Sequence, residues 1–270
     1  LSGRIKKPQV RLAISKGIAV FVSVAPRSLP LVLYPPKRMS VLQISVDVFS
    51  AQTFRLWISE NAAADGVPIY NQAHAGPQEW IPEDNGRLLR SRQVDGEILQ
   101  LDAIVQVEED HLVLRYDLSN TGDATLERLR VGTCYQLAEA SNFRDQVGDR
   151  TYAWVGGRLA NVAADGIPAE CHDHHEPDRS SFLKMPDPQI GEAAIAVEAV
   201  KGGATVMAWD THNEYSGNTD PALNCIHGGP MAPRLEPGAT MSLHGWLGWS
   251  TGPVDQLCAR ALAAVNAATS

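Results

Sequence analysis

Apolar side chains recur at every second position through much of this 270-residue chain. In VLQISVDV (41–48), Leu42, Ile44, Val46 and Val48 fall on one side, with Gln43, Ser45 and Asp47 opposite. TFRLWI (53–58) sets Phe54, Leu56 and Ile58 against Arg55 and Trp57. LQLDAIVQV (99–107) alternates again, the acidic EEDH follows, and LVLRYDL (112–118) aligns Leu112, Leu114, Tyr116 and Leu118. That pair reads as an antiparallel hairpin. RLRVGTCYQL (128–137), after the turn SNTGDA, places Leu129, Val131, Tyr135 and Leu137 on one face, and Arg130, Cys134 and Gln136 on the other. Period two means an extended segment with one side buried.

Further strands are expected at 152–155, 193–200, 204–209 and 240–249, with Lys201-Gly202-Gly203 as a hairpin signal between two of them. Only VDQLCARALAAVNAA (254–268) has helical spacing and composition, led in by Thr251-Gly252-Pro253. Helical crossovers are missing, which argues against a parallel α/β fold. The chain contains no P-loop, no GxGxxG and no nucleophile elbow. The expected fold is all-β, a large antiparallel β-sandwich with a short C-terminal helix.

The formal charge of −8 argues against general binding to nucleic acid or an anionic membrane. Its distribution is uneven. Residues 1–38 hold eight basic groups (Arg4, Lys6, Lys7, Arg11, Lys16, Arg27, Lys37 and Arg38) and no acidic one. Three readings fit this segment: a degenerate targeting sequence, an extra strand or arm, or residues outside a domain that begins at Met39. The third is favoured, because regular alternation sets in just after Met39. The apolar run GIAVFVSVA (17–25) is too short to span a bilayer. The expected division is thus a basic segment 1–38 and a single sandwich domain 39–270. Four well-separated cysteines with no CxxC pair exclude a zinc ribbon. Free thiols in the cytoplasm are the expectation, with a periplasmic or secreted setting as the alternative.

Three segments concentrate groups capable of chemistry. CHDHHEPD (171–178) carries three histidines, and His172 and His174 point the same way if the chain is extended. With Asp178 they form a candidate metal set, although a solvated polar loop is the favoured reading. Trp209-Asp210-Thr211-His212-Asn213-Glu214, continuing to Asn218, follows a strand. Trp209 could stack on a sugar or belong to the core. Asn213 and Asn218 could bind hydroxyls, and Asp210, His212 and Glu214 could move protons. In Asn224-Cys225-Ile226-His227-Gly228-Gly229, His227 is taken as a pocket residue and Cys225 as structural, with a tight turn as the competing reading. Arg130 and Gln136, together with His244 and Trp246, lie opposite the apolar stripes of their strands. They read as a polar-ligand floor or as ordinary solvent-facing alternation.

The order DLSNTGDATLERLRV, CYQLAEASNFRD, VMAWDTHNEYSGN, NCIHGGPMAPRLEPGATMSLHGWLGW resembles a group of bacterial β-sandwich proteins. More loosely, between about Val107 and Trp249, it resembles the galactose-mutarotase-like supersandwich of carbohydrate-active proteins. That resemblance implies a sugar or other polar small molecule as ligand. The histidine pair and glutamate base of that superfamily do not map cleanly here. Gly166, His172 and His174 also resemble the opening of a cupin metal motif, with Asp178 where a glutamate is expected. Three functions follow as expectations. The first is a sugar epimerase or lyase with His212, His227, Glu214 and Asp210 as acid–base groups and Trp209, Asn213, Asn218, Gln136, Arg130 and His244 holding the substrate. The second is a non-catalytic carbohydrate-binding module, and the third a cupin-like metal enzyme. No organic cofactor is expected, and a divalent metal belongs to the third reading.

Overall fold

In the computed structural model, the alternating segments pair into two antiparallel sheets whose apolar faces meet. The described residues are 9–11, 20–27, 39–49, 52–71, 80–84, 87–95, 98–155, 157–165, 181–182, 193–211, 213–218 and 224–268. The first half supplies β1 (Gln9–Arg11), β2 (Val20–Arg27), β3 (Met39–Val46), β4 (Thr53–Ala64), β5 (Val67–Asn71), β6 (Ile81–Glu83), β7 (Leu88–Asp95), β8 (Leu99–Val107), β9 (His111–Asn120) and β10 (Leu126–Gln136). The second half supplies β11 (Thr151–Val155), β12 (Arg158–Asn161), β13 (Ser181–Phe182), β14 (Ala193–Glu198), β15 (Ala204–Trp209), β16 (Asn213–Asn218), β17 (Cys225–Leu235), β18 (Thr240–Ser250) and the helix α1 (Val254–Ala268).

Among the described residues each sheet has nine strands. The first runs β1-β2-β3-β4-β10-β17-β16-β13, with β5 paired to β4 off this path. The second runs β12-β11-β14-β15-β18-β9-β8-β7-β6. Within the basic segment, β2 is laddered on β3 from Val20 opposite Val46 to Arg27 opposite Met39. The expected hairpin is β8–β9, in register from Leu99 opposite Asn120 to Val107 opposite Leu112.

The core follows the alternation. Leu42, Ile44, Phe54, Leu56, Leu129, Val131 and Tyr135 face inward from the first sheet. Leu112, Leu114, Tyr116, Leu118, Leu243 and Leu247 face inward from the second. Burying each such large side chain contributes about 1.5–3 kcal/mol. Strands β14 and β15 are covered on both faces. Ile195, Val197, Met207 and Trp209 join the central core. Ala194, Ala196, Ala204, Val206 and Ala208 instead receive Leu257, Cys258, Ala261, Leu262 and Val265 of α1. The row of alanines lets the helix lie close on the sheet.

The turn between these strands needs glycine. Gly203 has φ +97°, and a Cβ there would sit 2.7 Å from the Phe49 ring and from the Ser250 carbonyl oxygen. Two polar stretches outside the expected strands, 213–218 and 225–235, are strands β16 and β17. Their Gly, Pro and Asn content hides any period. Pro230 has no N–H to donate, and the β10–β17 ladder breaks between Thr133 opposite Gly228 and Arg130 opposite Met231. No helix among the described residues is long and apolar enough to cross a membrane.

Candidate functional site

The outer face of the first sheet gathers the strongest constellation of reactive groups. Its geometry follows from register. Cys134 on β10 stands opposite Trp57 on β4 and His227 on β17, and His227 stands opposite Ser216 on β16. One step along, Gln136 stands opposite Arg55 and Cys225, and Cys225 stands opposite Asn218. Directly opposed residues in antiparallel strands share a face. The side of β10 that alternation sets opposite the core therefore meets the same side of β17.

Cys225 Sγ lies 3.3 Å from His227 Nε2. The Sγ atoms of Cys134 and Cys225 and a ring nitrogen of His227 all lie within 4.8 Å of one another. The two thiols are buried, at 2% and 4% exposure, while His227, Glu60 and Arg130 are half-buried. Burial alone would lower the His227 pKa. Contact with Cys134 and the charge of Glu60 act against burial and the opposing Arg130, and the net direction is upward. The Cys134 thiol is held well above its ordinary range, first by its hydrogen bond with Cys225 and then by burial.

Glu60 comes near enough for its charge to act on this cluster because β4 bulges. Between Trp57 and Asn61 the ladder to β10 shifts register, and Ser59 adopts φ +55°. The buried Ser59 N–H donates to the Tyr116 hydroxyl at 2.7 Å, and Thr133 Oγ1 bonds the same hydroxyl. Tyr116 belongs to β9 of the opposite sheet, so a core phenol pins the bulge that carries Glu60. Tyr116→Phe should cost about 1–3 kcal/mol. It should also raise amide exchange at Ser59, as read by urea unfolding and hydrogen-exchange NMR.

The expected site residues separate into groups. His227, Gln136 and Arg130 lie on the first sheet's outer face. By register, Glu214 stands opposite Gly229 on the same sheet, and Asn213 opposite Pro230. Trp209 must be corrected: it is 1% exposed, stacked on Tyr116 at 5.0 Å and 10°, and offers no ring face to a sugar. Gly228 and Gly245 make room for it, since a Cβ on either would fall 2.7–2.8 Å from its ring. Asp210 and His244 must also be set apart from His227, because they belong to the second sheet. His244 Nδ1 lies 2.9 Å from Asp210 Oδ2, and burial raises the Asp210 pKa against the His244 hydrogen bonds.

Trp246, on the same side as His244, is covered by α1, stacked on His111 at 5.0 Å with the Arg260 guanidinium 5.0 Å from its ring. The floor expected from Arg130, Gln136, His244 and Trp246 together is therefore split over two sheets. Arg144 and Asp145 do not pair with each other. Asp145 accepts hydrogen bonds from backbone N–H groups and Thr151, and the Arg144 carbonyl accepts from Arg150. His172, His174, Asp178 and His212 lie outside the described residues. Glu60 was not anticipated, because a bulge residue breaks the alternation that would have placed it.

No family model and no curated protein matches the chain. Among solved structures it is similar to Slr1438 from Synechocystis sp. PCC 6803, at 11% identity and TM-score 0.53, over 92% of this chain and 97% of that one. It is also similar to a galactose mutarotase related enzyme from Lactobacillus acidophilus, at 10% identity and TM-score 0.49, over 89% and 98% of the two chains. A third is the GalM/aldose epimerase homologue from C. elegans, at 10% identity and TM-score 0.43, over 92% and 100%. At such identities the likeness is one of fold. The two-sheet antiparallel architecture with its C-terminal helix is the large β-sandwich expected from the alternation, and it is the fold shared with Slr1438.

Proposed function

We propose that the protein acts on a sugar, by epimerase-type proton transfer on the outer face of the first sheet. The observation that carries this reading is the placement of His227 opposite Cys134 and one step from Gln136, with the Glu60 and Arg130 charges near enough to act on its ring. Opening a pyranose ring needs a proton delivered to the ring oxygen and another removed from the anomeric hydroxyl. The neighbouring Glu60 charge favours a proton on the His227 ring, which suits that ring to the first task. The Glu60 carboxylate takes the second. Arg130 donates to sugar hydroxyls, and Gln136 both donates and accepts. Glu214 and Asn218, opposite Gly229 and Cys225, stay candidates for a second carboxylate and a further hydroxyl partner.

Trp209, being buried, is not an aromatic platform for a flat binding module. The test is polarimetry of freshly dissolved aldoses. The protein should speed the approach to anomeric equilibrium for at least one sugar of a panel. His227→Asn should slow that rate roughly 10²–10⁴-fold. The rate should also fall as pH rises through the raised His227 pKa, where the ring loses its proton. No acceleration with any aldose, or an undiminished rate in His227→Asn, would sink the reading.

A further inference from the structure

Two thiols and an imidazole side by side are an unusual equipment for pure acid–base work. Thiols add little to proton transfer on a sugar, and Cys134 and Cys225 lie outside the central apolar cluster between the sheets. Cys134 leans outward on β10, and Cys225 and His227 leave β17 on the same side because they are two residues apart. Among the described residues, this is the one group of three cysteine, histidine or acidic side chains close enough to hold a metal ion.

We propose that Cys134 Sγ, Cys225 Sγ and a ring nitrogen of His227 bind a thiophilic divalent cation, zinc being the natural occupant. Tetrahedral zinc with bonds of ~2.3 Å to sulfur and ~2.0 Å to nitrogen needs S···S near 3.8 Å and S···N near 3.5 Å. The Cys225–His227 separation of 3.3 Å is close to this, and a maximum of 4.8 Å within the group leaves a closure of about 1 Å for side-chain rotation. Thiolate sulfur selects zinc over magnesium or calcium. Three protein ligands leave a fourth position for water or substrate, as in catalytic rather than structural sites. Binding releases the two thiol protons and any proton on the ligating imidazole nitrogen to solvent, so the bound cation gains two thiolate charges. The Glu60 charge lies beside the cluster and favours a cation further.

The site shares His227 with the carbohydrate reading, so the two describe different states of the protein. A metal on His227 removes it from proton transfer, so zinc would silence an acid–base activity that depends on that ring. The experiment therefore uses metal readouts alone. Reduced, metal-free protein is titrated with cobalt(II). One equivalent should give the ultraviolet thiolate-to-cobalt charge-transfer band and the visible bands of a tetrahedral site, and zinc should displace it. The band should survive in Cys258→Ser and in His172→Ala/His174→Ala. It should vanish in Cys134→Ala/Cys225→Ala, and affinity should fall at least about tenfold in His227→Asn. Because buried alanine variants can lose the fold, a second measurement uses the unaltered protein. In dilute urea, where local opening exposes the buried thiols, zinc should slow N-ethylmaleimide alkylation of Cys134 and Cys225, mapped by mass spectrometry, and leave Cys171 unchanged. No thiolate band, a band that persists without Cys134 and Cys225, or protection of Cys171 in their place overturns the proposal. None of these readouts requires a sugar, so failure here leaves the polarimetry result to stand or fall separately.

Discussion

Trp209→Ala will lower the unfolding free energy by about 3–5 kcal/mol, the range for truncating a large aromatic in a packed core. The indole lies between the sheets against Tyr116, with Gly228 of the first sheet and Gly245 of the second too close to leave room for a side chain. Its removal opens a cavity walled partly by backbone, which cannot collapse into it. The Gly228 backbone that faces the ring adjoins His227, so the same variant should also disturb the reactive cluster. Urea unfolding at neutral pH reads the stability, and near-ultraviolet circular dichroism reads the core. A change below about 1 kcal/mol would mean that Trp209 is not packed in this way. Gly228→Ala and Gly245→Ala test the same contact from the other side and should each cost about 1–3 kcal/mol.

Asp145→Ala should be nearly as damaging, at about 3 kcal/mol or more. The Asp145 carboxylate, 2% exposed, accepts from the N–H groups of Val147, Gly148 and Arg150 and from the Thr151 hydroxyl. Asn224 closes the loop back on itself. Its side chain accepts from the Asp145 N–H and donates to the Asp145 carbonyl, while its own carbonyl accepts from Leu137 N–H. The loop after β10 is thereby fastened to the residue just before Cys225. Burial by itself would raise the Asp145 pKa, but the hydrogen bonds from Thr151, Arg150, Val147 and Gly148 together hold it below the usual carboxylate range. A depressed folded pKa stabilises the fold above the unfolded value of about 4, and that contribution is lost as pH falls through the lower folded value. The gap in urea midpoint between the wild-type protein and Asp145→Asn should therefore be widest at neutral pH and narrow on acidification. A gap that does not change with pH would remove the charge from this account.

Much of the architecture is legible in the chain because burial on one side of a strand writes a period of two into the residues. The β8–β9 hairpin, the inward row Leu129, Val131, Tyr135 and the helix 254–268 all follow from that rule or from its helical counterpart. The rule fails where both faces are covered or neither needs apolar residues. Strand β15 is buried throughout, so alternation cannot tell which side of Trp209 is core and which side of Asp210 is not. Strands β16 and β17, rich in Asn, Gly and Pro, carry no periodic signal and fall outside the expected strands.

The amino-acid order by itself determined the class of fold and the inward face of most strands, since those depend on local chain geometry and on excluding water. It also put Cys134 and Gln136 on the polar side of β10. Which polar groups meet is a matter of strand order, and strand order is a long-range choice made by packing. That choice placed β17 beside β10, brought Cys225 and His227 against Cys134, and sent Asp210 and His244 to the other sheet. Glu60 owes its position to a bulge held by a tyrosine from the opposite layer, a contact between residues 57 positions apart in the chain.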